Sequence, residues 1–228
     1  MDKTAIRDAA TIVVLRDRTT NPSVLMGQRG ASAAFMPNKF VFPGGAVDDV
    51  DLTVPVAGPM HNIDHERLSQ DSTLPPVALA NAAIRELWEE TGHIVGHPQE
   101  WFDAPRGWRG FAATGHVPDP SHLHFIFRAV TPVGNPRRFD ARFFVIEADH
   151  LRTDPDDFSR AEDELAHLQW VELGKARTYD LPFITEVVLA ELAANLDRIG
   201  PPANVPFFRN DDEAHLVTRL AGRSPLAS

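Results

Sequence analysis

The chain has 228 residues, with 22 Lys and Arg against 32 Asp and Glu, a formal net charge of −10, and no cysteine. With 43% hydrophobic and 24% charged residues, it is an ordinary globular chain, long enough for one large domain. The missing cysteine excludes disulfides, thiolate zinc sites and a cysteine nucleophile, and the acidic balance argues against broad binding to nucleic acid or anionic membranes. The longest early apolar stretch, residues 9–15, lies between Asp8 and Arg16 and is too short to span a bilayer. It reads as a buried strand over 11–15. With no targeting or membrane segment legible, a cytoplasmic location is expected.

Asn21-Pro22 then marks a turn, and a second strand over 23–29 completes a hairpin. A loop over 30–39 leads to a short strand, Phe40-Val41-Phe42, stopped by Pro43-Gly44-Gly45. Residues 52–76 hold four prolines and little periodicity, which predicts an insertion loop. Pro75-Pro76 and Gly92 bracket a predicted helix over 77–91. Residues 97–121, rich in Pro, Gly, Trp and His, read as a loop with one short helix. Strands are predicted over 122–130, 142–148 and 168–173, and an amphipathic helix over 181–196. The residues from 199 onward, with Gly200-Pro201-Pro202 near their start, read as a loosely attached tail. No internal repeat or low-complexity tract is present.

The predicted helix over 77–91 divides into two faces. At about 100° per residue, Val77, Ala80, Ile84, Leu87, Trp88 and Thr91 fall together and would pack on a sheet. Glu86, Glu89 and Glu90 share an arc of about 100° on the other side, with Ala82 and Ala83 beside them. A solvated face is the plain alternative, since Glu forms helices well. Against it, Glu86 and Glu90 repel at i, i+4 by about 0.2–0.5 kcal/mol, and Arg85 pairs with Glu89 alone. Small alanines beside the acids leave room for a ligand. Clustered hard oxygens suit Mg²⁺ or Mn²⁺, with waters and phosphates completing the shell. Such a site would also explain how an acidic protein meets a phosphorylated substrate.

Phe42-Pro43-Gly44-Gly45 and this helix together resemble the Nudix box of the Nudix hydrolases, G-x5-E-x7-R-E-U-x-E-E-x-G-U with U apolar. Gly45 stands at the first glycine and Asp51 at the first Glu; Arg85, Glu86, Leu87, Glu89, Glu90 and Gly92 match the second half. Residues 52–84 separate Asp51 from Arg85, 33 residues where the pattern has 7, and His93 holds the last apolar position with Ile94 beside it. The resemblance implies an α+β protein with the Nudix fold, an α/β/α sandwich around a mixed β-sheet, over residues 8–198 with an insertion at 52–76. A tail over 199–228 would follow.

Flanking segments resemble the branch that includes peroxisomal coenzyme A diphosphatases. They are Arg29 through Gly45 with Phe35-Met36-Pro37 between, Thr131-Pro132, Pro136-Arg137-Arg138-Phe139-Asp140 and Arg142-Phe143-Phe144. The coenzyme A motif R-[SA]-x3-R-x3-G-x3-F-P-G-G fits in spacing, but Gly30, Ala34 and Asn38 occupy three of its marked positions.

The resemblance implies hydrolysis of a nucleoside diphosphate linked to another moiety, or of coenzyme A specifically, with Mg²⁺ or Mn²⁺ as cofactor. It implies metal held by Glu86, Glu89, Glu90 and the Gly44 carbonyl, with Glu89 or Glu164 as base and Arg85 holding Glu89. It places Arg29 and Gly45 against the substrate. Arg137, Arg138 and Arg142 could clamp phosphates, or pair with surplus surface acids. Glu164 reads equally as a solvated acidic turn. His61-x3-His65 and His122-x-His124 have metal-compatible spacings but lack a third ligand. Phe35, Trp101, Trp108 and Phe125 could stack on a base or belong to the core. The expected partner is a diphosphate-containing small molecule, with no nucleic acid or membrane, and a homodimer is an open option. A Nudix-like module that binds a nucleotide without cleaving it is the rival from another class. A structural protein with an acidic helix would show no metal effect on stability.

Overall fold

The apolar run at 9–15 forms the middle of β1 (Ile6–Arg16), in a computed structural model that describes residues 5–31, 36–161 and 164–209. Alternate residues of a strand face opposite ways. Ala10, Ile12 and Val14 accordingly join one core, and Val13 and Leu15 another. That two-sided burial explains the unbroken apolar run. β1 pairs in parallel along its length with β8 (Arg138–Glu147), from Ile6 opposite Arg138 to Leu15 opposite Glu147. Its other edge is shared. β4 (Gly44–Ala46) occupies the early part, with Ala10 opposite Gly45, and β2 (Ser23–Arg29) the late part, with Leu15 opposite Val24.

β7 (His124–Val130) lies antiparallel to β8, while β3 (Phe40–Val41) and β9 (Leu165–Glu172) both pair antiparallel with β2. The sheet is therefore mixed. One face is covered by α2 (Pro76–Thr91) and the other by α4 (Phe183–Ala194), which gives the expected α/β/α layering. Among the described residues, no helix is long and apolar enough to cross a membrane.

Three expectations change. The predicted insertion loop contains a helix, α1 (Asn62–Ser69), whose buried residues are only Asp64 and Leu68. Such a helix has no apolar stripe for periodicity to detect. The stretch 97–121 holds α3 (Arg109–Ala112) and most of a small antiparallel pair, β5 (Gly96–Pro98) with β6 (His116–Pro118). The tail is attached over its described part. β10 (Phe207–Phe208) adds a parallel strand to β7, and Arg67 donates to the carbonyls of Pro202 (2.8 Å) and Ala203 (2.7 Å). Residues 210–228 lie outside the described residues.

The inserted segment is tied to the sheet by charge as well as by packing. Arg128 forms a fork with Asp140 (2.9 and 2.6 Å) and donates to the carbonyls of Gln70 and Asp71. His124 Nδ1 meets the buried Asp64 at 3.1 Å.

Candidate active site

Pro43-Gly44-Gly45 reaches the acidic helix because β4 docks on β1, where Ile12 N–H donates to the Pro43 carbonyl at 2.9 Å. Both glycines are required by close approach. A Cβ on Gly44 would lie 2.7 Å from Thr11 Cα and the Ala10 carbonyl, and one on Gly45 would lie 2.4 Å from the Glu86 carboxyl. A side chain at 44 would meet fixed backbone, and one at 45 would displace the Glu86 carboxylate.

α2 begins with proline in its first turn and ends at Gly92, whose φ of 78° is the left-handed conformation that closes a helix. Its surroundings depart from expectation. Ala82 and Ala83 are fully buried in the same core as Trp108, Phe111 and Leu123, so they do not floor a ligand site. The cover comes from segments remote in sequence, and the helix is enclosed on nearly every side except around Glu86, Trp88 and Glu89.

The carboxylates meet at the β4 side of the helix. Glu90 is 2% exposed; its Oε2 accepts from Gly44 N–H at 2.8 Å, while its Oε1 is buried with no hydrogen-bond partner. Burial raises its pKa well above the ordinary carboxylate value, and the Glu86 charge raises it further. Burial likewise pushes Glu86 up to about 7 against the pull of Arg85, with Glu89 and Glu164 adding to the rise. Arg85 Nη1 donates to Glu86 Oε1 (2.8 Å) and Glu89 Oε2 (3.0 Å), so it reaches both of these acids, where the sequence offered a partner to Glu89 alone. Arg29 and Glu164 pair at 3.1 Å at the edge of this cluster, and the Arg29 Nε is buried without a partner. Both act electrostatically on Glu90.

An orphaned carboxylate oxygen beside a second desolvated carboxyl is unstable by itself. Hard oxygen donors in that state fit a divalent cation. Among the described residues, no three His, Asp or Glu side chains are grouped so as to hold a metal ion as they stand.

Scanned against models of known protein families, the chain matches none. It is 28% identical over 186 residues to a Caenorhabditis elegans protein described as "Putative nudix hydrolase 7", covering 73% of this chain and 51% of that one. The chain thus spans about half the length of the curated relative it matches. The crystal structure of a NUDIX hydrolase from Alicyclobacillus acidocaldarius is similar at TM-score 0.63 and 29% identity, over 86% of this chain and 98% of that one. The chain is similar to Nudix hydrolases in sequence and in fold.

The segment that resembles the Nudix box is split in sequence but joined in space. Asp51, at zero exposure, takes Arg85 side-on, with Nε to Oδ1 and Nη2 to Oδ2, both at 3.0 Å. Asn81 Nδ2 donates to the carbonyls of Asp51 (3.0 Å) and Val54 (3.1 Å), and Arg85 Nη2 to that of Ala46 (2.9 Å). These bonds hold both ends of the break, so the insertion leaves the box geometry in place. Asp at position 51 in place of Glu therefore still serves as the anchor. His93, at the last box position, is fully buried and meets Thr153 Oγ1 at 3.0 Å.

Several expected site residues lie elsewhere. Arg142 stands on β8 opposite Ala10, but it is 1% exposed, bonded to Asp8 and the Asp140 carbonyl. It is thus a buried, ion-paired cation, the alternative to a phosphate clamp that the sequence left open. Arg138 is buried opposite Ile6 and donates to the Thr131 carbonyl (3.1 Å), and Arg137 is exposed in the loop before β8. Arg142→Met is expected to lower unfolding free energy by about 3 kcal/mol, because Asp8 loses its cation and Asp140 keeps only Arg128. Urea denaturation measures this, and an unchanged stability would return Arg142 to the list of ligand-binding candidates.

Of the aromatics, Trp108 and Phe125 are core and Trp101 packs on Trp108; Phe35 lies outside the described residues. The histidine spacings do not converge: His61 lies against His124, and His122 stacks on His150.

Proposed function

We propose that this chain hydrolyses the diphosphate linkage of a nucleoside diphosphate joined to a second moiety, using Mg²⁺ or Mn²⁺. The observation that carries this reading is the unpartnered, buried Oε1 of Glu90 beside the desolvated Glu86. Glu86, Glu89, Glu90 and the Gly44 carbonyl would hold the metal. Bound divalent cations would neutralise the diphosphate and acidify an attacking water.

The chain's own groups do the rest. Glu89, or Glu164 at the rim, accepts the proton of that water. Arg85 fixes the Glu89 carboxylate through its Nη1. Arg29, with its unpartnered Nε, supplies positive charge for the substrate. Gly45 leaves the space beside Glu86 that a side chain would fill. The negative charge that seemed ill-suited to a phosphorylated substrate is then partly a cation site.

The test is incubation with ADP-ribose, diadenosine polyphosphates and coenzyme A, each with and without Mn²⁺, with products separated by chromatography. Metal-dependent formation of two phosphorylated products is expected from at least one arm. Cleavage confined to coenzyme A would assign the narrower specificity that the flanking segments suggest. Ligands left intact in every arm would overturn the hydrolytic reading, and thermal stabilisation by an intact ligand would replace it with a binding module.

A further inference from the structure

We infer that Trp108 is a positioning residue for the metal-holding carboxylates, acting through Asp51 and Arg85; the inference rests on the metal-dependent reading above. Trp108 lies outside the Nudix box, in the segment before α3, yet its indole Nε1 donates to Asp51 Oδ1 at 3.0 Å. Both residues have zero exposure.

The donor count shows what this bond completes. A carboxylate offers about four lone-pair sites. On Asp51 they are met by Arg85 Nε and Trp108 Nε1 at Oδ1, and by Arg85 Nη2 and the Asp48 N–H at Oδ2. A guanidinium has five N–H donors. Those of Arg85 go to Asp51 twice, to the Ala46 carbonyl, to Glu86 and to Glu89. The network is closed, and Trp108 is its one contributor from beyond the box and its connecting turn.

Direction follows from this closure. The plane of the Asp51 carboxylate sets the plane of the guanidinium, and that plane sets where Glu86 Oε1 and Glu89 Oε2 stand. Without the indole N–H, Oδ1 keeps only Arg85 as donor and draws it more strongly. The guanidinium tilts toward Asp51 and loosens its hold on the two glutamates. Packing alone does not explain the contact. Trp88 packs beside Phe111 as Trp108 does, yet its Nε1 is buried with no partner.

Two variants test this. Trp108→Phe removes the donor and part of the ring; 3-benzothienylalanine at position 108, placed by amber suppression, removes the donor and keeps the bicyclic shape. Mn²⁺ bound by the substrate-free protein is counted by electron paramagnetic resonance, and kcat and KM are measured with whichever diphosphate the wild type cleaves. Expected are a Mn²⁺ dissociation constant raised about tenfold, as for other residues supporting a metal ligand, and a fall in kcat with little change in KM. In an Asp51→Asn background, Trp108→Phe should add almost nothing. If Trp108→Phe folds poorly, the benzothienyl variant decides. Wild-type Mn²⁺ affinity in that variant would overturn the role of Trp108 alone. A wild type that binds no Mn²⁺ would overturn the proposed function and this inference together.

Discussion

Glu90→Gln is expected to lower Mn²⁺-dependent turnover by about 10²–10³-fold, the scale seen when one preorganised electrostatic group is removed, while the variant folds normally. Both halves follow from the same burial. The carboxylate is 2% exposed, held by one backbone N–H and otherwise unpartnered. Gln can keep the Gly44 bond through its amide oxygen. It carries no charge, so the desolvation that raises the Glu90 pKa no longer opposes folding. What is lost is an anionic oxygen facing the place where a cation would sit. The measurement pairs kcat at saturating Mn²⁺ with the melting temperature of the metal-free protein. A variant with near-normal turnover would remove Glu90 from the metal set. A variant that fails to fold would show the carboxylate to be structural.

How much of this was legible in the sequence depended on where the partners lie. β1, β2, α2 and α4 were readable because their apolar spacing is local. The box was readable because its chemistry requires fixed spacings within one helix, and Arg85 reaches Glu89 one turn on. α1 was not, since it buries only an Asp and a Leu and is capped by the side chain of His61. For Arg142 the choice between a phosphate clamp and an ion pair stayed open for a related reason. Its partner Asp8 lies 134 positions away. The enclosure of α2 was hidden for the same reason, because Trp108, Phe111 and Leu123 arrive from another part of the chain. Burial of Ala82 and Ala83 by such distant cover leaves no local trace in the helical wheel.

The metal-free protein is expected to lose stability as pH rises from about 4.5 to about 7, and to regain it when Mg²⁺ or Mn²⁺ is added at the upper end. Glu86 ionises near its ordinary value of 4.5 when unfolded and at about 7 when folded. Between those values the folded state binds more protons, so unfolding becomes easier with each step upward in pH. The full shift corresponds to about 3 kcal/mol, at roughly 1.4 kcal/mol per unit, and to a fall in melting temperature of roughly 10 °C for a domain of this size. Glu90, whose pKa is also raised, acts in the same direction. His93 opposes them: burial lowers its pKa, so its contribution is lost as pH falls below about 6.5, where the unfolded imidazole gains a proton. The comparison with Glu86→Gln therefore isolates the carboxylate, because His93 is common to both proteins. The variant should show a flatter profile and a higher melting temperature at pH 8. A divalent cation held by the ionised carboxylates would reverse the loss in the wild type and do little in the variant. Differential scanning calorimetry across pH, with chelator or with Mn²⁺, makes the measurement. Parallel profiles for the two proteins, unmoved by metal, would mean that the acidic cluster is not held for a cation.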